Sequence, residues 1–577
     1  MFRRACQYIL LLFVLALFGV LLLWPVWRVL RVSLFGIAPA EAFTFAYIAN
    51  VFIDPGFREG LINSGIIAVG TTLMCMAISI PLAVLSVRYD FRGKQILSGL
   101  LLVPLILPPF VGAIGMRQII GRMGALTGLA QDVGWVDPGT PVNWLGSARL
   151  LTIMVVEALS LYPILYLNVS AALANVDPAM EQAAANLGAG RWMRFRRITL
   201  PLMRPGLFAG GTIVLIWSFT ELGTPLMFDF YKVTSVQVFQ RLSQVEGSPI
   251  PYALVVVMLL GSTLLYLIGK TLLGRSIGAT TTKASVQAVP RPLKGFRALL
   301  VFAAFASVIA LALLPHVGVI VTSFSGVGAW YQSALPTVLT TEHYINGLGH
   351  ELTIPSIQNS ILFALSSTCI DVLVGLLIAW LIVRSDLPGR GLLDSLSMLP
   401  LAVPGLVLAF GYLAISLQLQ AWFKDTPALR NLFDVNRNPT LLLILAYAMR
   451  RLPYVVRSAV AGLQQTPHDL ELAARNLGAS PLYTLRRITV PLIAANLLAG
   501  ALLAFAFAML EVSDSLILAQ KQAYWPITKA IYELFQRLGD GPYVASALGV
   551  WAMALLTLTI LLANDLLGRR MGAIFKV

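Results

Sequence analysis

Twelve stretches of this chain stay apolar for about the 20 residues a helix needs to cross a hydrocarbon core. They lie near residues 8–30, 61–87, 96–116, 150–169, 205–222 and 252–273, and then near 298–321, 357–383, 392–417, 440–456, 496–518 and 544–567. Each is expected to be a helix, because a single span in lipid can satisfy its backbone polar groups in no other way. The first run ends in Trp24, Pro25, Trp27 and Arg28 instead of small residues. It therefore reads as an uncleaved span with an aromatic anchor at the interface. Between the two sets of six, residues 274–292 are rich in Ser, Thr, Ala and Gly and read as a polar linker. The expected organisation is a first six-span repeat over 1–273, a linker over 274–297 and a second six-span repeat over 298–577.

Composition narrows the class further. Of 577 residues, 58% are hydrophobic and 12% charged, with a mean hydropathy of +0.82. A soluble domain carries roughly twice that share of charge, so soluble enzymes, secreted scaffolds and disordered chains are disfavoured together. The net charge of +15 admits nucleic-acid binding until the charges are placed. With both termini cytoplasmic, 27 basic and 8 acidic residues fall on the inner side, leaving 14 basic and 17 acidic ones outside and Asp371 in mid-span. That is the excess of Lys and Arg expected of cytoplasmic loops, so topology accounts for the charge. Cys6, Cys75 and Cys369 are too scattered for a disulfide framework or a thiolate metal site.

The two sets of six are copies. Residues 181–202 read EQAAANLGAGRWMRFRRITLPL and residues 471–492 read ELAARNLGASPLYTLRRITVPL, with 13 of 22 positions identical at an offset of 290. Asn63-Ser64, Arg88, Asp90, Gly93, Pro104 and Pro108 recur at an offset of 296 as Asn359-Ser360, Arg384, Asp386, Gly389, Pro400 and Pro404. An even number of spans per copy makes the repeats parallel, related by an axis along the membrane normal. The strongest identity lies in the cytoplasmic loop between spans four and five, residues 177–204 and 466–494. Asp177-Pro178 and Thr466-Pro467 read as helix starts, and Thr466 with Asp469 as a capping box. The short helix that follows carries small Ala183 and Ala184, or Ala473 and Ala474, and ends at Gly188 or Gly478, suited to a left-handed cap. A second helix then presents Arg196-Arg197 or Arg486-Arg487 before Pro201 or Pro491. Two such copies point to a shared docking surface, a helical ledge on the cytoplasmic face.

This loop resembles the EAA motif, EAA-x3-G-x9-I-x-L-P, of the integral membrane subunits of bacterial ATP-binding-cassette importers. Gly188, Ile198 and Leu200-Pro201 fit one copy, and Gly478, Ile488 and Val490-Pro491 the other. Where the motif has Glu the chain has Gln182 and Leu472, with Glu181 and Glu471 one position earlier. The resemblance implies an all-α membrane protein with the type I importer permease fold, two permease halves fused in one chain, in the bacterial cytoplasmic membrane. It implies that Glu181, Ala183, Ala184, Gly188, Arg196, Arg197 and Pro201, with Glu471, Ala473, Ala474, Gly478, Arg486, Arg487 and Pro491, belong to loops that couple to a homodimeric cytoplasmic ATPase. A periplasmic or extracellular binding protein would deliver the substrate. ATP and Mg would be bound by the partner, with no cofactor on this chain. No G-x4-G-K-[ST] loop is present, since Leu264 stands where the first glycine before Gly269-Lys270-Thr271 would be. Four His without metal-ligand spacing, and no nucleophile beside a base, give no sign of an enzyme or a resident metal.

Ionisable groups within apolar spans are functional hypotheses by default. Glu157, Glu221, Asp371, Glu511 and Asp514 are the candidates for a substrate pathway. Glu221 and Glu511 share the 290 offset and are expected to face each other across the pseudo-axis, lining the route of a substrate that is cationic at some stage. Helix packing or exposure at the outer interface are the other readings of these acids. Segments such as FTELGTPLMF (residues 219–228) are similar to those of ferric-iron permeases, with aminoethylphosphonate, polyamine and thiamine importers as relatives. A proton-coupled secondary transporter with twelve spans is the alternative of a different class. It would place its strongest repeat in the membrane path or a gating loop and lack the EAA-spaced ledge.

Overall fold

Long apolar runs become long helices whose ends are set by local chemistry. In the computed structural model, which describes residues 2–37, 42–106, 109–122, 124–144, 149–174, 176–273 and 290–571, the second span is a helix of 34 residues, Pro55–Arg88. Asp54 caps its start by accepting hydrogen bonds from the N–H groups of Gly56 and Phe57. Pro55 occupies the first turn and Arg88 the last, as helix termini favour.

In chain order the elements used below are α1 (Gln7–Phe35), α2 (Pro55–Arg88), α3 (Pro109–Ile120), α4 (Arg149–Ala174) and α5 (Pro178–Asn186). Then come α6 (Arg204–Thr220), α7 (Gly223–Met227), α8 (Thr234–Gln240) and α9 (Ile250–Leu273). The second half continues with α10 (Gly295–Phe324), α11 (Thr353–Arg384), α12 (Gly405–Trp422), α13 (Thr440–Gln465) and α14 (Asp469–Asn476). It closes with α15 (Val490–Met509), α16 (Ser513–Leu518), α17 (Ile527–Phe535) and α18 (Gly541–Met571).

Among the described residues nine helices are long and apolar enough to cross a membrane, or eleven if each of two bent pairs is one span. One bent pair, residues 191–202 and 204–220, turns by 65° where the ledge meets α6. The expected span at 392–417 is realised as α12, preceded by a separate helix, Arg390–Ala402, that contains Pro400. Pro404 stands just before α12; its counterpart Pro108 lies outside the described residues. The tenth expected span, 440–456, is the helix α13, but Arg450, Arg451 and Arg457 keep it from being apolar throughout. It survives as a largely buried helix because Arg450 and Arg451 find partners, described below, while Arg457 is exposed.

Helices α2, α4 and α6 pack on one another, and α11, α13 and α15 repeat that bundle in the second half. The first helix of each half crosses to the other half: α1 packs on α12, and α10 packs on α3. The Tyr412 hydroxyl donates to the carbonyl of Leu21 at 2.8 Å, fixing the first crossing. At the second, a Cβ on Gly115 would lie 2.1 Å from the Pro315 carbonyl oxygen, so only glycine permits the approach. The sequence repeats are therefore interlocked in space. The C-terminal end of the interval expected as linker, 274–297, overlaps the start of α10. Residues 274–289 lie outside the described residues, and α10 already begins at Gly295. Between them a short strand, Arg291–Pro292, pairs in parallel with Tyr89–Asp90 of the first half.

Candidate functional site

Both ledges are built from the same local bonds. In the first, Asp177 caps α5 by accepting from the N–H of Ala179 at 2.8 Å. Leu187, Gly188 and Ala189 close it by donating to the carbonyls of Ala183, Ala185 and Ala184. In the second, Leu477, Gly478 and Ala479 donate to Ala473, Arg475 and Ala474. The six-to-one bond onto Ala184 or Ala474 requires a left-handed residue at the cap. Gly188 and Gly478 supply it, with φ of 82° and 88°. The expected capping box at Thr466 does not form. Its hydroxyl donates back to the Gly462 carbonyl at 2.9 Å, and α14 starts later, after His468. Arg196, Arg197, Arg486 and Arg487 are exposed on single π-helical turns, Phe195–Thr199 and Leu485–Thr489. Pro201 and Pro491 follow directly, in the first turn of the next helix. Leu187 and Leu477 are 88% and 89% exposed, so each ledge shows an apolar tip beside its arginines.

The glutamate displaced by one position faces inward. Glu181 pairs with Arg88 and also accepts from Thr199, to which Arg88 donates at 3.0 Å. Glu471 pairs with Arg384 at 3.1 Å, and Arg384 donates further to the carbonyls of Leu463 and Thr466 at 3.0 and 2.9 Å. Arg88 and Arg384 are the last residues of α2 and α11. Each ledge is thus tied by a charge-assisted bond to the second span of its own half. The second tie is the more enclosed: the Arg384 and Glu471 side chains are 8% and 2% exposed, against 32% and 21% for Arg88 and Glu181.

Within the membrane region the candidate acids fall into two unlike settings. Glu157 on α4 is fully buried and accepts from Ser218 of α6 and, at 3.4 Å, from Thr71 of α2. Glu221 follows α6 and accepts from Trp217 Nε1 and from the N–H groups of Gly223 and Thr224 at 3.2, 3.1 and 3.3 Å, which caps α7. Glu511, the counterpart of Glu221, stands just before α16 and lies within electrostatic reach of Glu221. Unlike Glu221 it also holds two cations, pairing with Arg450 and Arg451 of α13. Arg450 reaches Asp514 as well, at 3.3 Å. Asp371 of α11 is 1% exposed, and neither of its carboxylate oxygens has a hydrogen-bond partner among the described residues; Arg451 is its nearby charge.

Arg450 and Arg451, which the charge placement above includes among its 27 inner basic residues, sit inside α13, half-buried and buried. The rule that singled out the acids would have found them, since they interrupt the apolar run 440–456. The positions 290 residues earlier are Ser160 and Leu161, so the cations belong to the second half alone. Arg88 and Arg384 were visible as repeated residues, but their partners 93 and 87 positions away were not. Among the described residues no three His, Cys, Asp or Glu side chains converge as a metal site.

Comparison with known proteins supplies the context of this geometry. The sequence profile of the family described as "Binding-protein-dependent transport system inner membrane component" matches twice, over residues 76–279 and 371–573, one ledge in each match. The ferric transport system permease protein FbpB of Actinobacillus pleuropneumoniae is 28% identical over 531 residues, covering 88% of this chain and 71% of that protein. The Fe(3+)-transport system permease protein FbpB 2 of Haemophilus influenzae is 23% identical over 543 residues, covering 90% of this chain and 94% of that protein. The molybdenum transport system permease protein ModB of Escherichia coli K12 is 32% identical over 178 residues, covering 31% of this chain and 74% of that protein.

Proposed function

The chain belongs to the family of binding-protein-dependent transport system inner membrane components in both of its halves, and from that premise we propose that it is a fused, two-copy permease of an importer for ferric iron. As a multi-pass permease of an ATP-binding-cassette importer it acts in the inner membrane. The observation that carries the iron reading is that ferric transport permeases align along nearly the whole two-copy chain. In this reading both termini are cytoplasmic. The ledges at 177–204 and 466–494 seat in the two subunits of one homodimeric ATPase, which binds ATP and Mg on its own chain. A binding protein delivers iron at the opposite face. ATP binding draws the ledges together, and the ties through Glu181 and Glu471 pass the movement to α2 and α11. Glu157, Glu221, Asp371, Glu511 and Asp514 lie along the route, with Arg450 and Arg451 balancing the acids of the second half.

Expression with the neighbouring ATPase and binding protein should give ATP-dependent uptake of radiolabelled ferric iron that excess molybdate, aminoethylphosphonate, spermidine or thiamine leaves unchanged. Uptake of one of those solutes without uptake of iron would overturn the substrate and leave the importer standing. The ledges carry a separate prediction. A side chain at a left-handed position costs about 1–2 kcal/mol, so Gly188→Val with Gly478→Val should lower transport roughly tenfold at an unchanged membrane level of the chain. Full transport by that double variant would remove the coupling role of the ledges.

A further inference from the structure

The repeated Asn-Ser pair, which the transport reading leaves without a task, holds a second pair of equivalent structures at the outer mouth. Helices α8 and α17 follow α6 and α15, which run away from the ledges, so both lie at the opposite side of the membrane. Asn63 donates to the carbonyl of Lys232 at 2.9 Å, and Asn359 to that of Trp525 at 3.2 Å. Ser64 accepts from the N–H of Thr234 at 3.0 Å, and Ser360 from that of Ile527 at 2.7 Å. Ser235 donates to the carbonyl of Glu221 at 2.6 Å, and Thr528 to that of Glu511 at 2.7 Å. On the side of α8 and α17 the three correspondences, Lys232 with Trp525, Thr234 with Ile527 and Ser235 with Thr528, share one register, an offset of 293. In that register Phe239 of α8 is the counterpart of Tyr532 of α17. These two rings touch, edge to face, with centroids 5.9 Å apart and planes at 87°.

Residues related by a two-fold axis can touch each other only on that axis. The axis between the halves is where a route shared by both must run. We propose that Phe239 and Tyr532 form the outer gate of the pathway, closed in this structure, and that Lys529 is the residue that holds it shut. The Lys529 ammonium lies 5.7 Å from the centre of the Phe239 ring and 5.8 Å from those of Tyr532 and Trp525. It also pairs with Glu533 at 3.0 Å. Its side chain is only 6% exposed, so the cation is committed to these rings, where desolvation strengthens the attraction. The counterpart of Lys529 is Val236; the clamp is supplied by the second half alone. Arg117 of α3 adds a reciprocal contact, its guanidinium 5.3 Å from the Phe535 ring. The gate helices hang from the carbonyls of Glu221 and Glu511, so movement of the pathway acids is movement of the gate.

This inference rests on the transport reading but not on the identity of the substrate, and its test uses no substrate. The assembled transporter with its ATPase would carry Phe239→Cys and Tyr532→Cys, with a protease site placed within residues 274–289. A short thiol crosslinker should join the cleaved halves in the nucleotide-free state and do so at least fivefold less after trapping with ATP and vanadate. Equal crosslinking in both states, or none in either, overturns the gate. Should the double variant fail to assemble, Phe239→Cys alone should react with a membrane-impermeant thiol reagent at least fivefold faster after trapping, and an unchanged rate overturns it. Lys529→Met should raise the untrapped rate toward the trapped one, while Lys529→Arg, which keeps the cation, should not. A Met variant as slow as the parent would remove Lys529 from the clamp. If the gate responds in this way and iron uptake is absent, the gate stands and only the substrate reading falls.

Discussion

Replacing Glu511 with alanine should cost far more than replacing its counterpart Glu221, although the two occupy equivalent places in the repeat. Glu221 caps the short helix that follows it, and loss of such a cap costs about 1 kcal/mol. Glu511 has a different task. It is the carboxylate on which Arg450 and Arg451 both close, and its side chain is 4% exposed. Its removal leaves Arg451 without a hydrogen-bonded counter-charge and Arg450 with Asp514 alone. Breaking a buried pair in this way costs ~3–5 kcal/mol, enough to deplete the folded transporter. Thermal unfolding of the purified complex should therefore show a large loss for Glu511→Ala and a small one for Glu221→Ala. Removing the charges together, as in Glu511→Gln with Arg451→Gln, should recover part of the loss, because no ion is then stranded. Equal losses for the two single variants would mean that the pairs with Arg450 and Arg451 do not carry the stability assigned to them.

The sequence carried the architecture further than the site, for a physical reason. Spans are legible because lipid demands a continuous apolar run, and ledges are legible because two copies repeat their Gly, Pro and Arg at fixed offsets. What could not be read was pairing over long separations. Arg88 stands 93 residues from Glu181, and Arg451 stands 60 residues from Glu511; only the packing of α2 on the ledge, or of α13 near α16, brings them together. The misplacement of Arg450 and Arg451 shows the cost of counting charge by apolar run alone. A helix carrying three arginines can still be an interior helix when acids on neighbouring helices meet them. Thr466 shows the opposite failure. Its spacing to Asp469 suits a capping box, but its hydroxyl finds the free carbonyl of Gly462 one turn earlier, a local bond that competes with the cap. The crossing of α1 and α10 to the opposite halves left no trace in the pattern, because either neighbour would cover the same apolar face.

Arg384→Ala should separate ATP hydrolysis from transport more completely than any substitution on the ledge surface. Arg384 ends α11 and makes three bonds towards the second ledge: to Glu471, and to the carbonyls of Leu463 and Thr466 at the end of α13. Glu471 has one other charged neighbour, His468 at 3.5 Å, which carries charge only when protonated. The alanine variant thus strands a carboxylate that is 2% exposed, at ~3–5 kcal/mol. The same change at Arg88 exposes a pair already open to water, where such pairs contribute about 0–1 kcal/mol. The expected result is a smaller yield of folded transporter that, per assembled complex, still hydrolyses ATP but whose uptake falls at least tenfold for Arg384→Ala, with a smaller loss for Arg88→Ala. Arg384→Met with Glu471→Met strands no charge. It should regain stability while uptake stays low, since the apolar pair fills the space but no longer ties the ledge to the span. Recovery of uptake along with stability would show that the contact only holds the fold and does not transmit movement.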